Sequence, residues 1–355
     1  MKKVLIVIVI IGIGLFVVFN YGSSETDKTF TDQLIELGYS KENAEIVANI
    51  VSDNKQELIL NFEANDSLID ILSNPDYKEK NLEKYLNYFN KNKVADISDI
   101  IVIVNSGYDI LNREYSPLLV SLIEEKYFIF DNLDRYLNYS MVQNFSANDI
   151  VVNVNCNLDK VMYKDISEAN YKDNLLILVN KYFYLSEKYT PSDLTALPNK
   201  YSFGSKNQLR KEGADAFMEM SDAAILETIS IRNVSAFRNY SYQKQLYDNY
   251  VLRDGKLAAD NYSARAGHSE HQTGLSLDIN TASMAFEGTS AFKWLSNNAY
   301  KYGFILRYPK GKEHITGYQY EPWHYRYVGK DAANIIKNEN ITLEEYYAYY
   351  VKKSN

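Results

Sequence analysis

The four histidines of this 355-residue chain, His268, His271, His314 and His324, all lie between residues 268 and 324. Histidines that served no common purpose would be scattered along the sequence. Imidazole nitrogen is a preferred ligand of zinc, and a hydrolytic zinc site needs three protein ligands and one open position for water. The clustering therefore predicts a zinc site with hydrolytic chemistry.

Two of the carboxylates among these histidines could complete such a site. His271, Asp278 and His324 together supply two imidazoles and one carboxylate, a ligand set that suits zinc. Glu321 lies three residues before His324, where its carboxylate can take a proton from the attacking water. Pro322 disfavours a helix at Glu321, so this pair differs from the helical His-Glu-x-x-His arrangement of thermolysin-like enzymes. The remaining two histidines are expected to be ordinary side chains.

The elements around these residues mix helices with strands. Apolar residues at helical spacing predict helices near 209–224, 242–253 and 290–303, and a capping box of Thr342 and Glu345 predicts a final helix. Alternating or β-branched residues predict strands at 228–235, 304–308 and 323–328. Because the order lacks regular βαβ spacing, we expect an α+β domain in which helices flank a small antiparallel sheet. Arg307 is expected to form an internal salt bridge, and Trp323 to lie in the core.

An apolar segment opens the chain. Residues 4–24 carry no charge, and as a helix they would span roughly 30 Å, the thickness of the apolar core of a bilayer. Lysines precede this segment and acidic residues follow it, which by the positive-inside rule keeps the N-terminus in the cytoplasm. We therefore expect residues 1–24 to be the transmembrane signal-anchor of a single-pass cell-membrane protein with an extracytoplasmic catalytic domain. A cleaved signal peptide is the alternative.

The next region, 28–150, is expected to be mainly helical and contains an internal repeat. Residues 81–88 are echoed by 132–139, and 99–105 are echoed by 149–155. A period of about 50 residues indicates a duplicated small unit. We interpret this region as a spacer or wall-binding arm, with plain scaffold as the alternative. A connector over 151–199 and a catalytic domain over 200–355 complete the predicted order.

Composition restricts the remaining function classes. The net charge of −8 argues against a nucleic-acid partner, which would require a basic surface. The hydrophobic fraction of 46% is ample for packed cores. Cys156 is the single cysteine, so the chain has no internal disulfide and no zinc site built from cysteines.

The motif Ser269-x-His271-x-x-Gly274-x-Ser276-x-Asp278, together with Glu321-x-x-His324, resembles the signature of LAS-type zinc peptidases. Within that group the chain is similar to VanY-type D,D-carboxypeptidases and their L,D-carboxypeptidase relatives. The segments 235–243, 304–309 and 321–329 also match, and the resemblance covers roughly 177–355. It implies that His271, Asp278 and His324 bind Zn²⁺ and that Glu321 is the catalytic base.

The same resemblance implies how substrate is held. Arg238 would steady the developing oxyanion or orient the substrate carbonyl, a role that suits a fixed guanidinium. Ser269 would contact the C-terminal carboxylate of the substrate, and Gln243 is a second candidate for that contact. The chain departs from the family pattern at Ser276, where alanine is usual, and at Ala266, where Pro-Gly is usual before His268. Neither departure removes an expected ligand.

The predicted function is that of a zinc metallocarboxypeptidase that removes the C-terminal D-alanine from peptidoglycan stem peptides. An L,D-carboxypeptidase acting on tetrapeptides and an endopeptidase cutting cross-links are alternatives within the enzymes. A non-catalytic, zinc-bearing module that binds the cell wall is the alternative outside them. Glu321 argues against that module, because a structural zinc site needs no base.

Overall fold

The computed structural model describes residues 28–351 except 94, 143, 171–174 and 205–206. Within this range the chain forms two compact units, divided between Ile123 and Glu124. The first unit is helical: α1 Phe30–Leu37, α2 Lys41–Ile50, α3 Asp53–Leu60, α4 Ser67–Ser73, α5 Leu82–Lys91, α6 Ile97–Asn105 and, running to the boundary, α7 Pro117–Glu124. Its core is built from the apolar stripes of the helices, with Leu34, Val47 and Ile59 fully buried.

The second unit mixes helices and strands. Its helices are α8 Leu133–Ser140, α9 Ala147–Asn155, α10 Lys211–Leu226, α11 Tyr240–Asp254, α12 Lys256–Tyr262, α13 Ser290–Asn298, α14 Glu313–Thr316, α15 Lys330–Glu339 and α16 Leu343–Tyr346. Its strands are β1 Ser167–Glu168, β2 Phe183–Tyr184, β3 Leu194–Ala196, β4 Gln208–Arg210, β5 Asn233–Ser235, β6 Ser276–Ile279, β7 Phe304–Leu306 and β8 His324–Tyr327. The predicted α+β class and small sheet are confirmed.

The main sheet has four strands in the order β5-β6-β8-β7, and every neighbouring pair is antiparallel. Side chains alternate between the two faces of a strand. Leu277 and Ile279 of β6, with Tyr325 and Tyr327 of β8, therefore join the core that α10 and α13 cover. The polar residues between them emerge on the opposite face.

One predicted strand is much shorter than expected. The alternating pattern predicted a strand over 228–235, but only Asn233–Ser235 pairs in the sheet. Residues 227–229 instead end α10: the amide of Ile229 donates to the carbonyl of Ala224 at 3.0 Å, and Thr228 takes a positive φ of 62°. These are features of a Schellman ending, which usually uses glycine at the left-handed position. Helix termination therefore overrides the strand pattern.

The two copies of the sequence repeat have the same internal structure. In the first unit the Tyr85 hydroxyl donates to Asn105 Oδ1 at 2.7 Å and accepts from the Lys78 amide at 3.3 Å. In the second unit the Tyr136 hydroxyl donates to Asn155 Oδ1 at 2.6 Å and accepts from the Ile129 amide. The repeated hydrogen bonds explain why the tyrosine and asparagine recur.

The observed division differs from the predicted segments. The second copy of the repeat belongs to the same compact unit as the histidine cluster, whereas the sequence placed it in a region ending at residue 150. The roles suggested for 28–150 as a spacer and for 151–199 as a connector remain predictions.

The predicted location as a single-pass membrane protein is contradicted. In the described part of the chain no helix is both long and apolar enough to cross a bilayer. The longest helix there, α10, has 16 residues, which corresponds to about 24 Å against the ~30 Å of a bilayer core. The segment 4–24 that carried the prediction lies outside the described residues. The membrane is accordingly not assigned as a location or as a partner.

The repeat network makes a prediction about stability. Replacing Tyr85 by Phe removes a buried hydroxyl that both donates and accepts, so we expect the free energy of unfolding of the first unit to fall by about 1–3 kcal/mol. Tyr88→Phe is the matched control, because Tyr88 lies on the same helix, is also buried and has a hydroxyl without a hydrogen-bond partner. Urea denaturation, monitored by circular dichroism, measures the free energy of unfolding of both variants. Equal losses in the two variants would contradict the prediction.

Candidate active site

The candidate metal ligands are brought together by strand register. In the β6–β8 pair Asp278 lies directly opposite His324, so both side chains emerge on the same polar face. His271 comes from the 3₁₀ turn Glu270–Thr273 that leads into β6. Gly274 ends this turn at a φ of +68°, and a Cβ there would lie 2.9 Å from Leu194 Cδ2. Glycine adopts this φ without strain and avoids that contact, so it suits the turn from His271 into the strand.

The three side chains present a compact set of donor atoms. Asp278 Oδ1 lies 3.5 Å from His271 Nε2 and 3.2 Å from His324 Nδ1, and one ligand atom from each residue falls within 4.8 Å of the others. Ligand atoms around a tetrahedral zinc are about 3.4 Å apart, given Zn–N and Zn–O distances near 2.0–2.1 Å. Asp278 Oδ1 is also buried without a hydrogen-bond donor. The donor set therefore fits zinc.

The orientation of His271 is fixed by the backbone. Its Nδ1 lies 2.6 Å from the carbonyl oxygen of Ala236, which follows β5. Because a carbonyl oxygen can only accept, Nδ1 carries the proton and donates it, and Nε2 keeps its lone pair toward Asp278. A metal ligand held by a hydrogen bond at its other nitrogen is the usual arrangement of histidine in metal sites.

Glu321 lies beside this donor set. Its Oε2 is 3.7 Å from His324 Nδ1, and a turn in which the His324 amide donates to the Glu321 carbonyl joins the two residues. Burial raises the pKa of Glu321 to about 7 in the metal-free protein, and the nearby Asp278 carboxylate also raises it, whereas His324 and Arg238 lower it. A carboxylate with a pKa near neutrality can both accept and release a proton at physiological pH.

The histidines and Asp278 are strongly coupled in the metal-free protein. Burial, reinforced by the Arg238 charge, lowers the pKa of His271 to about 4. Burial also acts to lower the pKa of His324, but the contacts with Asp278 and Glu270 outweigh it and raise the pKa to about 9. Burial acts to raise the pKa of Asp278, yet the two histidines hold it well below its usual range. A metal ion must therefore displace a proton from His324.

All seven site residues predicted from the sequence line one cavity of about 300 Å³. Arg238, Gln243 and Ser269 form the wall beside the donor set. Arg238 Nε and Gln243 Oε1 are buried without hydrogen-bond partners, while Gln243 Nε2 donates to the Ala264 carbonyl at 2.7 Å. Both residues that line the cavity therefore keep hydrogen-bonding capacity that no protein group uses.

The sequence analysis did not identify Glu270 as a site residue. This carboxylate is 1% exposed and receives hydrogen bonds from Arg307 Nε at 2.7 Å and from Arg326 at 2.9 Å. Burial acts to raise the pKa of Glu270, but the two arginines outweigh it and hold the pKa well below its usual range. The internal salt bridge expected for Arg307 is confirmed. The sequence signal that could have identified Glu270 is its position between two predicted site residues, Ser269 and His271.

The other predictions for this region are also resolved. His268 Nδ1 lies 2.7 Å from the carbonyl oxygen of Asn180, and the ring packs edge-on against Tyr163. Neither His268 nor His314 joins the group of potential metal ligands found among the described residues. Trp323 packs in the core as expected, and it also lines the cavity.

Comparisons with known proteins agree with this geometry. The family model described as VanY, D-alanyl-D-alanine carboxypeptidase, matches residues 206–330. A Bacillus subtilis (strain 168) protein whose name describes a carboxypeptidase, YodJ, is 50% identical over 49% of this chain and 67% of its own length. A D-alanyl-D-alanine carboxypeptidase of Enterococcus faecium is 38% identical over 52% of this chain and 61% of its own length. The alignments thus span about half of this chain.

The chain is also similar to solved structures. The structure of the LdcB LD-carboxypeptidase has a TM-score of 0.50 and 45% sequence identity, over 54% of this chain and 92% of that chain. A VanY variant from the VanB-type resistance cassette, crystallised in complex with Zn(II), is 34% identical over 48% of this chain and 97% of that chain, with a TM-score of 0.43. The residues that the family model matches contain all three potential metal ligands, and the cofactor of the family is Zn²⁺. By sequence, fold and site, the chain belongs to the VanY family of zinc carboxypeptidases.

Proposed function

We propose that this protein is a D-alanyl-D-alanine carboxypeptidase that removes the C-terminal D-alanine from peptidoglycan stem peptides. The observation that carries the proposal is the cavity itself. It combines a three-residue donor set, a carboxylate 3.7 Å from one of the donors and a half-buried arginine whose Nε–H has no hydrogen-bond partner. The name of the related Enterococcus faecium enzyme supports the D-alanyl-D-alanine specificity.

In this proposal His271 Nε2, Asp278 Oδ1 and His324 Nδ1 hold the zinc ion. When bound in such a site, zinc supplies Lewis-acid chemistry that makes water more acidic and polarises a peptide carbonyl. Glu321 is the proton acceptor, since its carboxylate faces the donor set and is shielded from solvent. After accepting the proton, the same carboxyl group can deliver it to the leaving amine.

Arg238 and its neighbours bind the substrate. The Arg238 guanidinium lines the cavity and can donate to the carbonyl oxygen whose negative charge grows during attack, which is where a fixed donor accelerates acyl transfer. Ser269 is 3% exposed on the same wall and is assigned to the terminal carboxylate of the substrate. Gln243 can contribute an acceptor through its free Oε1 or reorient to donate.

An L,D-carboxypeptidase acting on tetrapeptides is the second candidate. It is favoured by the 45% identity to the LdcB LD-carboxypeptidase, which is covered over 92% of its length. Both activities break an amide bond next to a terminal carboxylate, so the donor set and the base serve either one. The choice depends on which penultimate stereocentre the cavity accepts.

Substrate length tests the choice directly. We expect the zinc-loaded protein to release one alanine from a muropeptide with a pentapeptide stem and none from a muropeptide with a tetrapeptide stem. Mass spectrometry of the muropeptides measures this release. Release from the tetrapeptide alone would move the assignment to L,D-carboxypeptidase. Release from neither, with zinc bound, would refute both candidates.

Glu321→Gln tests the proton acceptor. The amide keeps the size of the side chain but cannot accept the proton, so we expect kcat to fall by about 10²–10⁴-fold. Zinc content, measured by inductively coupled plasma mass spectrometry, should stay at the wild-type level, because Glu321 is not one of the three ligands. A variant that retained wild-type kcat would contradict the assignment.

Zinc binding should also stabilise the fold. The donor set is formed only in the folded chain, so a ligand present at 100 times its Kd adds about 2.7 kcal/mol to the free energy of unfolding. We expect zinc to raise Tm in the wild type and not in Asp278→Ala, as measured by differential scanning fluorimetry. His314→Ala is the control, since His314 lies outside the donor set and should leave the zinc response unchanged.

A further inference from the structure

The two ring nitrogens of His324 face different groups. Nδ1 points toward Asp278 Oδ1 at 3.2 Å and Glu321 Oε2 at 3.7 Å. Nε2 is buried on the other side of the ring and has no hydrogen-bond partner. The carboxylate oxygen that faces Nε2 is Glu270 Oε2, at 3.7 Å.

From this arrangement we propose that Glu270 is a positioning residue: its carboxylate accepts the Nε2–H of His324 and so orients the ring with Nδ1 toward the zinc site. The inference rests on the zinc ligands assigned above, and it adds a role for a residue outside that ligand set.

The chemistry of imidazole requires such a partner. A neutral ring has one N–H and one lone pair, so a lone pair on Nδ1 means a proton on Nε2. A buried N–H without an acceptor is unfavourable, which would weaken the binding of zinc through Nδ1. The partner of His271 is the Ala236 carbonyl, an acceptor under any condition. For His324 the corresponding acceptor is a side chain, which must itself be held in place.

Glu270 is held by three donors that distinguish its two oxygens. Arg307 Nε and one Arg326 guanidinium nitrogen both donate to Oε1, at 2.7 and 2.9 Å. The Ser276 hydroxyl donates to Oε2 at 3.0 Å. Oε2 can accept more than one hydrogen bond, so a lone pair remains toward His324 Nε2. The distance between His324 Nε2 and Glu270 Oε2 is 3.7 Å, and a shift that shortens it to hydrogen-bond length would complete the hydrogen bond between them.

The support extends beyond Glu270. Arg307 also donates to both oxygens of Glu344 on α16, at 2.6 and 2.9 Å. Arg326 lies on β8 two residues after His324, and its guanidinium donates to the Leu175 and Ile177 carbonyls. Both arginines are therefore anchored independently of Glu270. They would continue to require an oxygen at the Oε1 position if the carboxylate were replaced by an amide.

Glu270→Gln is the decisive variant for this reason. The arginines select the amide oxygen at the Oε1 position, which directs the NH₂ group toward His324 Nε2. Two N–H groups cannot hydrogen-bond to each other, so the Nε2–H of the zinc-bound ring would be left without an acceptor. We therefore expect the zinc Kd to rise by about 10–100-fold, the range found for partners of metal-bound histidine.

Ser276→Ala is the matched control. It removes one donor from Oε2 but leaves the carboxylate and its lone pairs, so we expect the zinc Kd to stay within about threefold of wild type. The Kd of all three proteins is measured by competition with a chromogenic chelator. A role of Glu270 in stability alone would lower the Tm of the zinc-free protein without changing the Kd.

The outcomes separate this inference from the proposed ligands. If the wild type binds no zinc, the ligand assignment fails. If the wild type binds zinc and Glu270→Gln binds it with the same Kd, the ligand assignment stands and the role of Glu270 is refuted.

If Glu270→Gln does not fold, ¹⁵N-edited NMR of the zinc-loaded wild type tests the role of Glu270 instead. We expect a slowly exchanging Nε2–H of His324 whose proton shift changes in Ser276→Ala, because both donors share Oε2. Rapid exchange with solvent, or a shift unaffected by that substitution, would refute the inference.

Discussion

The arrangement of the site depends on the ion pairs that the buried carboxylate of Glu270 forms with two arginines. Placing an unpaired charge in a protein interior is strongly unfavourable, so this carboxylate constrains the fold to bring Arg307 and Arg326 to it. Arg307 follows β7 and Arg326 belongs to β8, so satisfying one charge joins two strands to the turn that carries His271. Removing the Glu270 carboxylate would take from Arg326 its carboxylate partner, whereas Arg307 would keep its ion pair with Glu344.

The register of β6 and β8 is the second constraint. Asp278 and His324 are opposite each other, while Leu277 and Tyr325 point from the same two strands into the core. A slip of one residue would exchange the two faces, burying the polar side chains among apolar ones and exposing the core residues. The hydrophobic core therefore specifies the geometry of the metal site, although none of its residues is a ligand.

The sequence predicted the α+β class and the approximate positions of α10, α11, α13, β7 and β8, because their apolar spacing is regular. It missed β6 as a strand, since four residues are too few to show a period. It also extended β5 backward through Thr228, where the ending of α10 uses the same residues. The expected membrane span rested on residues outside the described structure, and no described helix supplies one.

The sequence by itself determined the candidate chemistry of this protein: two imidazoles and two carboxylates, at spacings typical of a zinc peptidase. It could do so because residue type alone defines which potential ligands and proton acceptors exist. Tertiary structure decided which atoms of these residues face one another, how burial shifts the pKa of Glu321, and that Glu270 faces the Nε2 side of His324. These properties depend on strand pairing and on arginines 37 and 56 residues away from Glu270. A local sequence pattern carries no information about either.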